Sequence, residues 1–353
     1  MAVRFNAVAV FLSTLLIACS LSAPAVASAK GVEKSKAVRP VASRAQARAV
    51  VKSNRNVAAK KKVPLVKKAV ARKAPEPRKP STPIDPGKLV VQSASALVLD
   101  QGGGDAIFQK NATQVAPIAS ITKLMTAMVV LDSSPSLSAQ ITVTEEDVDF
   151  LRGSRSRLQV GSVISRESAL LLALMSSENR AAHALARHYP GGMPAFLAAM
   201  NIKAQALGMR DTHFEDPTGL TSNNVSTATD LAKMVSAAYR YPLIREFTTT
   251  AEATVEVNGR EVAYHNTNPL VRSGSWDVGL SKTGYIQEAG KCLVMQARVA
   301  DKPVVIVLLD SAGSMTRVGD ANRIKRWMEY TQASRHGPTQ AASVSVKGGG
   351  PSA

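Results

Sequence analysis

The sequence predicts an α+β fold in which one antiparallel sheet is flanked by helices and carries a mostly helical insertion. Three observations support this prediction. Strand patterns occur at both ends of the folded region, helical patterns fill the interval between them, and two apolar runs at 292–299 and 304–309 follow each other closely. Terminal strands bury their apolar faces best by pairing in one sheet, so helices are expected on its faces rather than in alternation with parallel strands.

The first predicted elements are strands. Residues 89–91 and 95–100 are apolar and rich in valine and leucine, the glycines at 102–104 mark a turn, and a second strand is expected at 106–108. Order therefore begins near residue 89, and residues 89–332 are enough for one sizeable core.

Helices are predicted next. Five segments have helical patterns: 120–131, 166–175, 180–188, 231–238 and 320–330. Ser165 is a candidate N-cap for the second of them. Thr227 and Asp230 have the spacing of a capping box before the fourth.

The remaining elements are strands. Asn258-Gly259 lies between 254–257 and 260–263 and predicts a hairpin, because Asn-Gly suits the left-handed turn that matches strand twist. The runs 292–299 and 304–309 predict two buried strands joined by a tight turn at 301–303. The tail 333–353 is expected to be disordered.

A basic segment precedes the folded region. The 353-residue chain has a formal net charge of +18, and residues 30–88 hold 18 Lys and Arg against 3 Asp and Glu. With its repeated prolines, this segment cannot bury enough apolar surface to offset the entropy of ordering, so a disordered linker is predicted. The rest of the chain is almost neutral, which excludes a basic globular domain.

The first 29 residues are typical of a signal peptide. Arg4 provides a positive start, an apolar run follows at 7–18, and the tripeptide Ala-Ser-Ala at 27–29 is a cleavage site of the small-x-small type. The alternative is lipoprotein processing, with acylation at Cys19. Both interpretations predict export to the periplasm. The linker is then a solvated tether or a weak ligand of anionic envelope polymers, and no nucleic acid partner is expected.

Metal and cofactor chemistry are not expected. Only Cys19 and Cys292 are present, and the first lies in the segment that would be removed, so neither an intramolecular disulfide nor a cysteine-based zinc site is predicted. The five histidines have no familiar ligand spacing.

Three short motifs occur in order along the folded region. They are Ser120-Ile121-Thr122-Lys123 at the start of a helix, Ser177-Glu178-Asn179 between two helices, and Lys282-Thr283-Gly284 in a strand-like segment. Each arises easily by chance, so the prediction depends on their order and context. The structural alternative is that the serines and Asn179 cap helices, Lys123 is solvated, and 282–284 form an ordinary edge strand.

A serine nucleophile needs a base, and no histidine here has an obvious partner. Lys123 can serve if its pKa falls from about 10.4 towards neutrality through burial and nearby positive charge. Positions i and i+3 share one helix face, so Ser120 and Lys123 point the same way. Lys282, if close, would help to keep Lys123 neutral.

Together the motifs resemble those of the serine penicillin-recognising enzymes. Six segments are similar to the low-molecular-mass penicillin-binding proteins of the D-alanyl-D-alanine endopeptidase and carboxypeptidase family, namely 117–126, 216–220, 226–230, 279–285, 288–290 and 292–294. The resemblance covers about 89–330. It implies a DD-peptidase/β-lactamase-like fold and a penicillin-sensitive serine peptidase that acts on peptidoglycan stems.

The resemblance also implies roles for the matched residues. Ser120 would be the nucleophile and Lys123 its base, while Ser177 and Asn179 would relay a proton and bind the substrate amide. The substrate-binding residues would be Lys282, Thr283, Gly284 and Tyr285. Of these, Lys282 and Thr283 would hold the substrate carboxylate, and the backbone N–H groups of Ser120 and Tyr285 would form the oxyanion hole.

Two departures from the larger carboxypeptidases favour an endopeptidase that cuts D-alanyl cross-links. Glu178 stands where many carboxypeptidases have glycine, and the chain stops soon after the last predicted helix. The alternatives are a D-alanyl-D-alanine carboxypeptidase, a β-lactamase and a non-catalytic envelope-binding protein. No E-x-x-L-N segment occurs between Asn179 and Lys282, so a β-lactamase is disfavoured.

Overall fold

The computed structural model describes residues 88–313 and 315–335. The expected signal peptide, all but the last residue of the basic linker, and the tail from 336 onwards lie outside these residues. The strands are β1 Ser95–Asp100, β2 Ala106–Lys110, β3 Ala116–Pro117, β4 Gln140–Thr142, β5 Val163–Ser165, β6 Val225–Ser226, β7 Glu252–Val257, β8 Arg260–His265, β9 Asp277–Ile286, β10 Gly290–Val299 and β11 Lys302–Ser311. The helices are α1 Lys123–Asp132, α2 Arg166–Met175, α3 Asn179–Arg187, α4 Gly192–Ala206, α5 Ala228–Ala238, α6 Pro242–Thr249, α7 Pro269–Arg272 and α8 Thr316–Arg335.

One antiparallel sheet joins the two ends of the folded region, as the sequence predicted. Its strand order is β2-β1-β11-β10-β9, and β1 pairs with β11 so that Ser95 lies opposite Leu309 and Asp100 opposite Val304. Strand β9, which carries the third motif, lies at the edge of this sheet. The predicted α+β class is confirmed.

Side chains on the sheet alternate between two apolar cores. Val294 and Val307 belong to the core shared with the helical insertion, whereas Met295 and Ile306 belong to the core under α8. A period of two follows from strand geometry. Helix α8 buries residues three or four positions apart, namely Val318, Ala321, Ile324 and Met328.

Helix α1 lies in the centre of the helical layer. Eight of its residues are buried, and they include Lys123 at its first position. Helices α2, α3, α4, α5 and α6 all contact α1, and α5 also packs on the sheet. A lysine at the start of such a helix cannot reach solvent, which makes its hydrogen-bond partners important.

Both predicted helix caps are present. The Ser165 side chain accepts a hydrogen bond from Ser168 N, and the Thr227 side chain accepts one from Asp230 N. Helix α5 begins at Ala228, three residues earlier than predicted. The Asp230 carboxylate accepts from Asp211 N at 2.9 Å, and no bond back to the Thr227 N–H is found among the described residues. The box is therefore one-sided.

The two turns between long strands use left-handed backbone. Asn258 and Gly259 have φ values of 52° and 73°, so the Asn-Gly hairpin prediction is confirmed. The turn between β10 and β11 is formed by Ala300 and Asp301, at φ 51° and 57°. The predicted turn at 301–303 is wrong, because this two-residue turn lets Pro303 pair with Arg298 inside the sheet.

The segment before β1 is not a strand, so the prediction for 89–91 is wrong. Its backbone continues into residues whose N–H groups bond to a side chain instead of to a neighbouring strand. The N–H groups of Gln92 and Ser93 donate to the Asp320 carboxylate at 2.9 and 2.7 Å. Asp320 lies in α8, which begins earlier and ends later than the predicted 320–330. Within residues 88–313 and 315–335, no helix is long and apolar enough to cross a membrane.

Candidate active site

A tight turn presents Ser120 at the base of a cleft. Residues Ala119–Thr122 form a 3₁₀ helix ahead of α1, and Ala119 has a φ of 49°. Two glycines let other segments approach this turn closely. A Cβ on Gly219 would lie 1.9 Å from the Ala119 carbonyl oxygen, and one on Gly284 would lie 3.2 Å from Ser120 N. The third motif therefore packs directly on the turn that carries Ser120.

Lys123 is fully buried and makes three hydrogen bonds. Its Nζ donates to Ser120 Oγ at 2.8 Å, to Asn179 Oδ1 at 2.7 Å and to the Thr218 carbonyl oxygen at 2.8 Å. A neutral amine could keep two of these donations and direct its lone pair at the Ser120 hydroxyl. The sequence predicted that Ser120 and Lys123 share a helix face, and the burial that a base at Lys123 requires is complete.

Burial sets the protonation of this lysine. It lowers the pKa of Lys123 from 10.5 to about 7, and the nearby Asp216, Glu178 and Asp149 carboxylates oppose the shift. A pKa near neutrality suits a general base. The expectation that Lys282 would help to keep Lys123 neutral is wrong, because burial lowers the pKa of Lys123, and it is the charge of Lys123 that lowers the pKa of Lys282.

The second motif contributes a serine and an amide to the same centre. Ser177 has a φ of 62°, in the left-handed region, in the turn between α2 and α3. Its Oγ accepts a hydrogen bond from Lys282 Nζ at 2.9 Å. Asn179 begins α3, and its Nδ2 donates to Ser154 Oγ at 2.9 Å. Backbone strain of this kind is typical of functional sites.

The third motif lies on the edge strand β9. Lys282 is buried and donates to Ser177 Oγ and to the Thr283 carbonyl oxygen. Burial lowers the pKa of Lys282 well below 10.5, and the charges of Lys123 and Arg317 add to the effect. The Thr283 hydroxyl donates to Thr267 Oγ1 at 2.6 Å. The structure thus brings all three motifs to one place.

A cleft of about 570 Å³ lies over this centre. It is lined by Ser120, Arg152, Ser154, Ser177, Asn179, Leu220, Thr267, Thr283, Gly284, Tyr285, Ile286, Gln287 and Arg317. An ion pair of 2.9 Å joins Arg152, in the loop before β5, to Glu288, in the turn after β9. Arg317 donates to the carbonyl oxygens of Gly284 and Cys292.

Sequence reasoning missed five polar residues of the cleft. They are Arg152, Ser154, Thr267, Gln287 and Arg317. None belongs to a recognisable motif. Arg152 and Ser154 lie in one loop, and Thr267, Gln287 and Arg317 reach the cleft from other parts of the chain. A single sequence contains no signal for them, because only packing brings these segments together.

A smaller cavity of about 200 Å³ adjoins Asn179 on its other side. His183 lies in it, and its Nδ1 is 2.8 Å from the buried Asp147 carboxylate, which Arg187 also contacts. Burial alone would raise the pKa of Asp147, but hydrogen bonds from His183 and Arg187 lower it to about 2. In the described ranges, no group of three or more His, Cys, Asp or Glu side chains is placed to hold a metal ion.

Comparison with protein families gives one match over most of the folded region. A family model described as D-alanyl-D-alanine carboxypeptidase matches residues 80–313. The chain is 47% identical over 266 residues to the D-alanyl-D-alanine endopeptidase of Pseudomonas aeruginosa, with 75% of this chain and 85% of the relative covered. It is 45% identical over 259 residues to the D-alanyl-D-alanine endopeptidase of Escherichia coli, with 73% and 83% covered.

Comparison with solved structures agrees. The crystal structure of the Streptomyces K15 DD-transpeptidase is 30% identical, with a TM-score of 0.64 over 68% of this chain and 98% of that one. Penicillin-binding protein D2 of Listeria monocytogenes, in its ampicillin-bound form, is 28% identical, with a TM-score of 0.59 over 68% and 98%.

Proposed function

The chain belongs to the D-alanyl-D-alanine carboxypeptidase family of peptidases, and from this premise we propose that it is a serine DD-endopeptidase that hydrolyses D-alanyl cross-links in peptidoglycan. The observation that carries the proposal is the 2.8 Å contact between Ser120 Oγ and the buried Lys123 Nζ. This pair provides a hydroxyl and an amine whose pKa lies near 7.

Acylation begins with the proton of Ser120. Neutral Lys123 takes this proton while Ser120 Oγ attacks the carbonyl carbon of a D-alanyl peptide bond. The negative charge that develops on the carbonyl oxygen is stabilised by the backbone N–H groups of Ser120 and Tyr285. The close packing of Gly284, the residue before Tyr285, on Ser120 N supports this assignment.

Collapse of the intermediate breaks the C–N bond and needs a proton on the leaving amine. The proton held by Lys123 reaches the amine through the Ser177 hydroxyl, while Asn179 binds the amide of the substrate backbone. Water then attacks the acyl-enzyme while the same lysine takes its proton. The lysine returns this proton to Ser120 Oγ as the ester bond breaks and the new carboxyl group is released.

Substrate binding uses the edge of the sheet. Strand β9 lies at the edge of the sheet, where a stem peptide can pair with it as an added strand. Lys282 and Thr283 hold the carboxylate next to the scissile bond. The pKa of Lys282 is low because of burial, and an anionic carboxylate at this position would favour its protonated form.

β-Lactams are expected to acylate Ser120. The absence of an E-x-x-L-N segment supports a stable acyl-enzyme rather than rapid hydrolysis of the drug. The relative from Listeria monocytogenes was solved in an ampicillin-bound form, in agreement with this expectation.

The alternative within the family is a D-alanyl-D-alanine carboxypeptidase that removes only the terminal residue. Glu178 and the names of the two relatives above 40% identity favour the endopeptidase. Mass spectrometry decides the question after purified protein is incubated with cross-linked muropeptide dimers and with uncross-linked pentapeptides. We expect dimers to become monomers, and Ser120→Ala to be inert. Release of terminal D-alanine alone would identify a carboxypeptidase.

The remaining assignments concern the rest of the chain. We assign the catalytic domain to 89–332, and we place the protein in the periplasm after export. The 18 Lys and Arg of residues 30–88 favour electrostatic contact with anionic envelope polymers. A chain that lacks residues 30–88 should therefore bind isolated cell envelopes less tightly at low salt and cleave dimers in solution at the same rate.

A further inference from the structure

We propose that Glu178 is a positioning residue. Its carboxylate binds the 149–158 loop and holds it next to the second motif, so that Ser154 keeps the Asn179 amide in the orientation that contacts Lys123. The inference rests on the proposed function and adds a residue to its machinery. It assigns a positioning role to Glu178, the middle residue of the second motif.

Glu178 occupies a helix cap but does not cap. It is the N-cap residue of α3, and its side chain makes no hydrogen bond to the first turn of that helix. The shorter carboxylate of an aspartate at this position would ordinarily accept a backbone N–H two or three residues later. Here the side chain is directed away from its own helix, although its residue is only 8% exposed.

The partners of this carboxylate lie in the loop. Ser156 Oγ donates to Glu178 Oε2 at 2.7 Å, and Arg157 N lies 3.4 Å from Oε1. Arg180, two residues further along, donates to the Leu158 carbonyl oxygen at 2.8 Å. The start of α3 therefore holds the end of the loop at three points.

The other end of the loop is fixed by its own aspartate. The Asp149 carboxylate accepts from the backbone N–H groups of Leu151, Arg152 and Ser154 at 2.9 to 3.0 Å. Arg152 Nε also donates to the Leu220 carbonyl oxygen at 2.5 Å. Asp149 shapes the loop internally, whereas Glu178 joins the loop to the second motif.

Between these two anchors, Ser154 meets the catalytic centre. Asn179 Nδ2 donates to Ser154 Oγ at 2.9 Å, while Asn179 Oδ1 accepts from Lys123 Nζ at 2.7 Å. The two bonds select one orientation of the amide. If Ser154 moved away, the amide could rotate and present its NH₂ group to Lys123, which would remove an acceptor from the base.

The test compares Glu178→Ala with Glu178→Gln. A glutamine keeps an oxygen that accepts from Ser156, whereas alanine removes it. The measured quantity is the second-order rate constant for acylation by a fluorescent penicillin. We expect a loss of about tenfold to a hundredfold for Glu178→Ala, in line with the cost of a misplaced catalytic group, and a loss below about threefold for Glu178→Gln. Glu256→Ala is the matched control, because Glu256 is an exposed glutamate on strand β7.

The route through Ser156 is tested with a double mutant. If Glu178 acts by holding Ser156, adding Ser156→Ala to Glu178→Ala should cause no further loss, because coupled residues are not additive. Equal losses of acylation rate in Glu178→Gln and Glu178→Ala would show that the negative charge of Glu178 is required rather than its hydrogen bond to Ser156, and would overturn the proposal. A wild-type rate in Glu178→Ala, or additive losses in the double mutant, would overturn the proposal.

A second readout does not depend on activity. Hydrogen exchange of the backbone amides of residues 151–158 should become faster in Glu178→Ala and remain slow in Glu178→Gln and Glu256→Ala. Unchanged protection of the loop in Glu178→Ala would contradict the inference, whether or not the wild-type protein is acylated by penicillin. Failure of penicillin to acylate the wild-type protein would instead contradict the proposed function.

Discussion

Lys123 is the residue whose chemistry depends most on its surroundings. It lies in the first turn of α1 and is fully buried, and two of its three hydrogen-bond partners belong to distant segments of the chain. A buried cation without a role is costly, and a lysine with a lowered pKa is a useful base. The same residue in solvent would be protonated and could not activate Ser120.

A substitution tests this dependence. Lys123→Arg should lower the rate of acylation by fluorescent penicillin by at least about a hundredfold, because a guanidinium stays charged and cannot accept the serine proton. Lys302→Ala, which changes an exposed lysine paired with Asp100, is the control and should acylate normally. An active Lys123→Arg variant would mean that another group is the base.

The pH dependence of acylation follows from the same group. The pKa of Lys123 is lowered to about 7, so its reactive neutral form increases as pH rises through this value. The rate constant for acylation should fall about tenfold for each pH unit below it. Stopped-flow measurements between pH 5 and about pH 9 would locate the midpoint. A flat profile over this range would exclude Lys123 as the titrating base.

The effect on stability has a definite sign. Between the lowered folded pKa of Lys123 and its ordinary value of 10.5, the unfolded chain binds more protons than the folded one. The contribution of this group to the free energy of unfolding therefore increases as pH rises through that window.

At the scale of elements, the candidate active site depends on how closely β9 approaches the Ala119–Thr122 turn, which carries Ser120. Gly284 makes this approach possible, since a Cβ there would lie 2.9 Å from the Ile118 carbonyl oxygen and 3.1 Å from the Ala119 Cβ. Strand β9 would have to shift by a few tenths of an ångström to accommodate a methyl group. The proposed oxyanion hole spans the same contact.

Gly284→Ala should therefore reduce activity more than stability. We expect acylation to fall by about a hundredfold, because small displacements at a reacting centre are costly. The free energy of unfolding should fall by only about 1–2 kcal/mol, as is typical of a slightly overpacked core. Penicillin acylation and urea denaturation measure the two effects. Gly103→Ala should change neither quantity, because a Cβ added in this open turn would lie 3.6 Å from the Asp105 carboxylate, at an ordinary van der Waals distance.

At the scale of the whole molecule, Asp320 connects the two ends of the folded region. It is buried in α8, and it binds the backbone just before β1 through Gln92 N, Ser93 N and Ser93 Oγ. Burial alone would raise the pKa of Asp320, but these donors lower it below 3.8. The first strand and the last helix are thus joined by one carboxylate as well as by the sheet.

Removal of this carboxylate should destabilise the fold. Asp320→Ala leaves buried N–H and O–H donors without an acceptor, and we expect a loss of about 3 kcal/mol in the free energy of unfolding. Asp320→Asn, which keeps one oxygen, should lose less. Urea denaturation at pH 7 and at lower pH measures both. The wild-type contribution should disappear as pH falls through the lowered folded pKa, whereas the alanine variant should lack this dependence. Equal stability of all three proteins would contradict the assigned role.

The sequence alone determined those features that depend on neighbouring residues. The caps Ser165 and Thr227, the Asn258-Gly259 turn and the buried strands β10 and β11 follow from local backbone preferences and alternating hydrophobicity. The α+β class followed as well, because strands at both ends need each other's hydrogen bonds. The three motifs could be selected from their order and resemblance, although their catalytic roles stay predictions.

Tertiary structure decided the features that depend on residues far apart in the chain. Residues 92–93 bond to Asp320, more than two hundred positions away, so a strand pattern at 89–91 did not produce a strand. The lowered pKa of Lys123 results from complete burial, which needs the packing of five helices around α1. Arg152, Ser154 and Arg317 reach the cleft only through folding, and Glu178 meets its loop there. A local sequence pattern cannot predict these long-range contacts, because the free energy of each contact depends on which other segments of the chain already lie next to it.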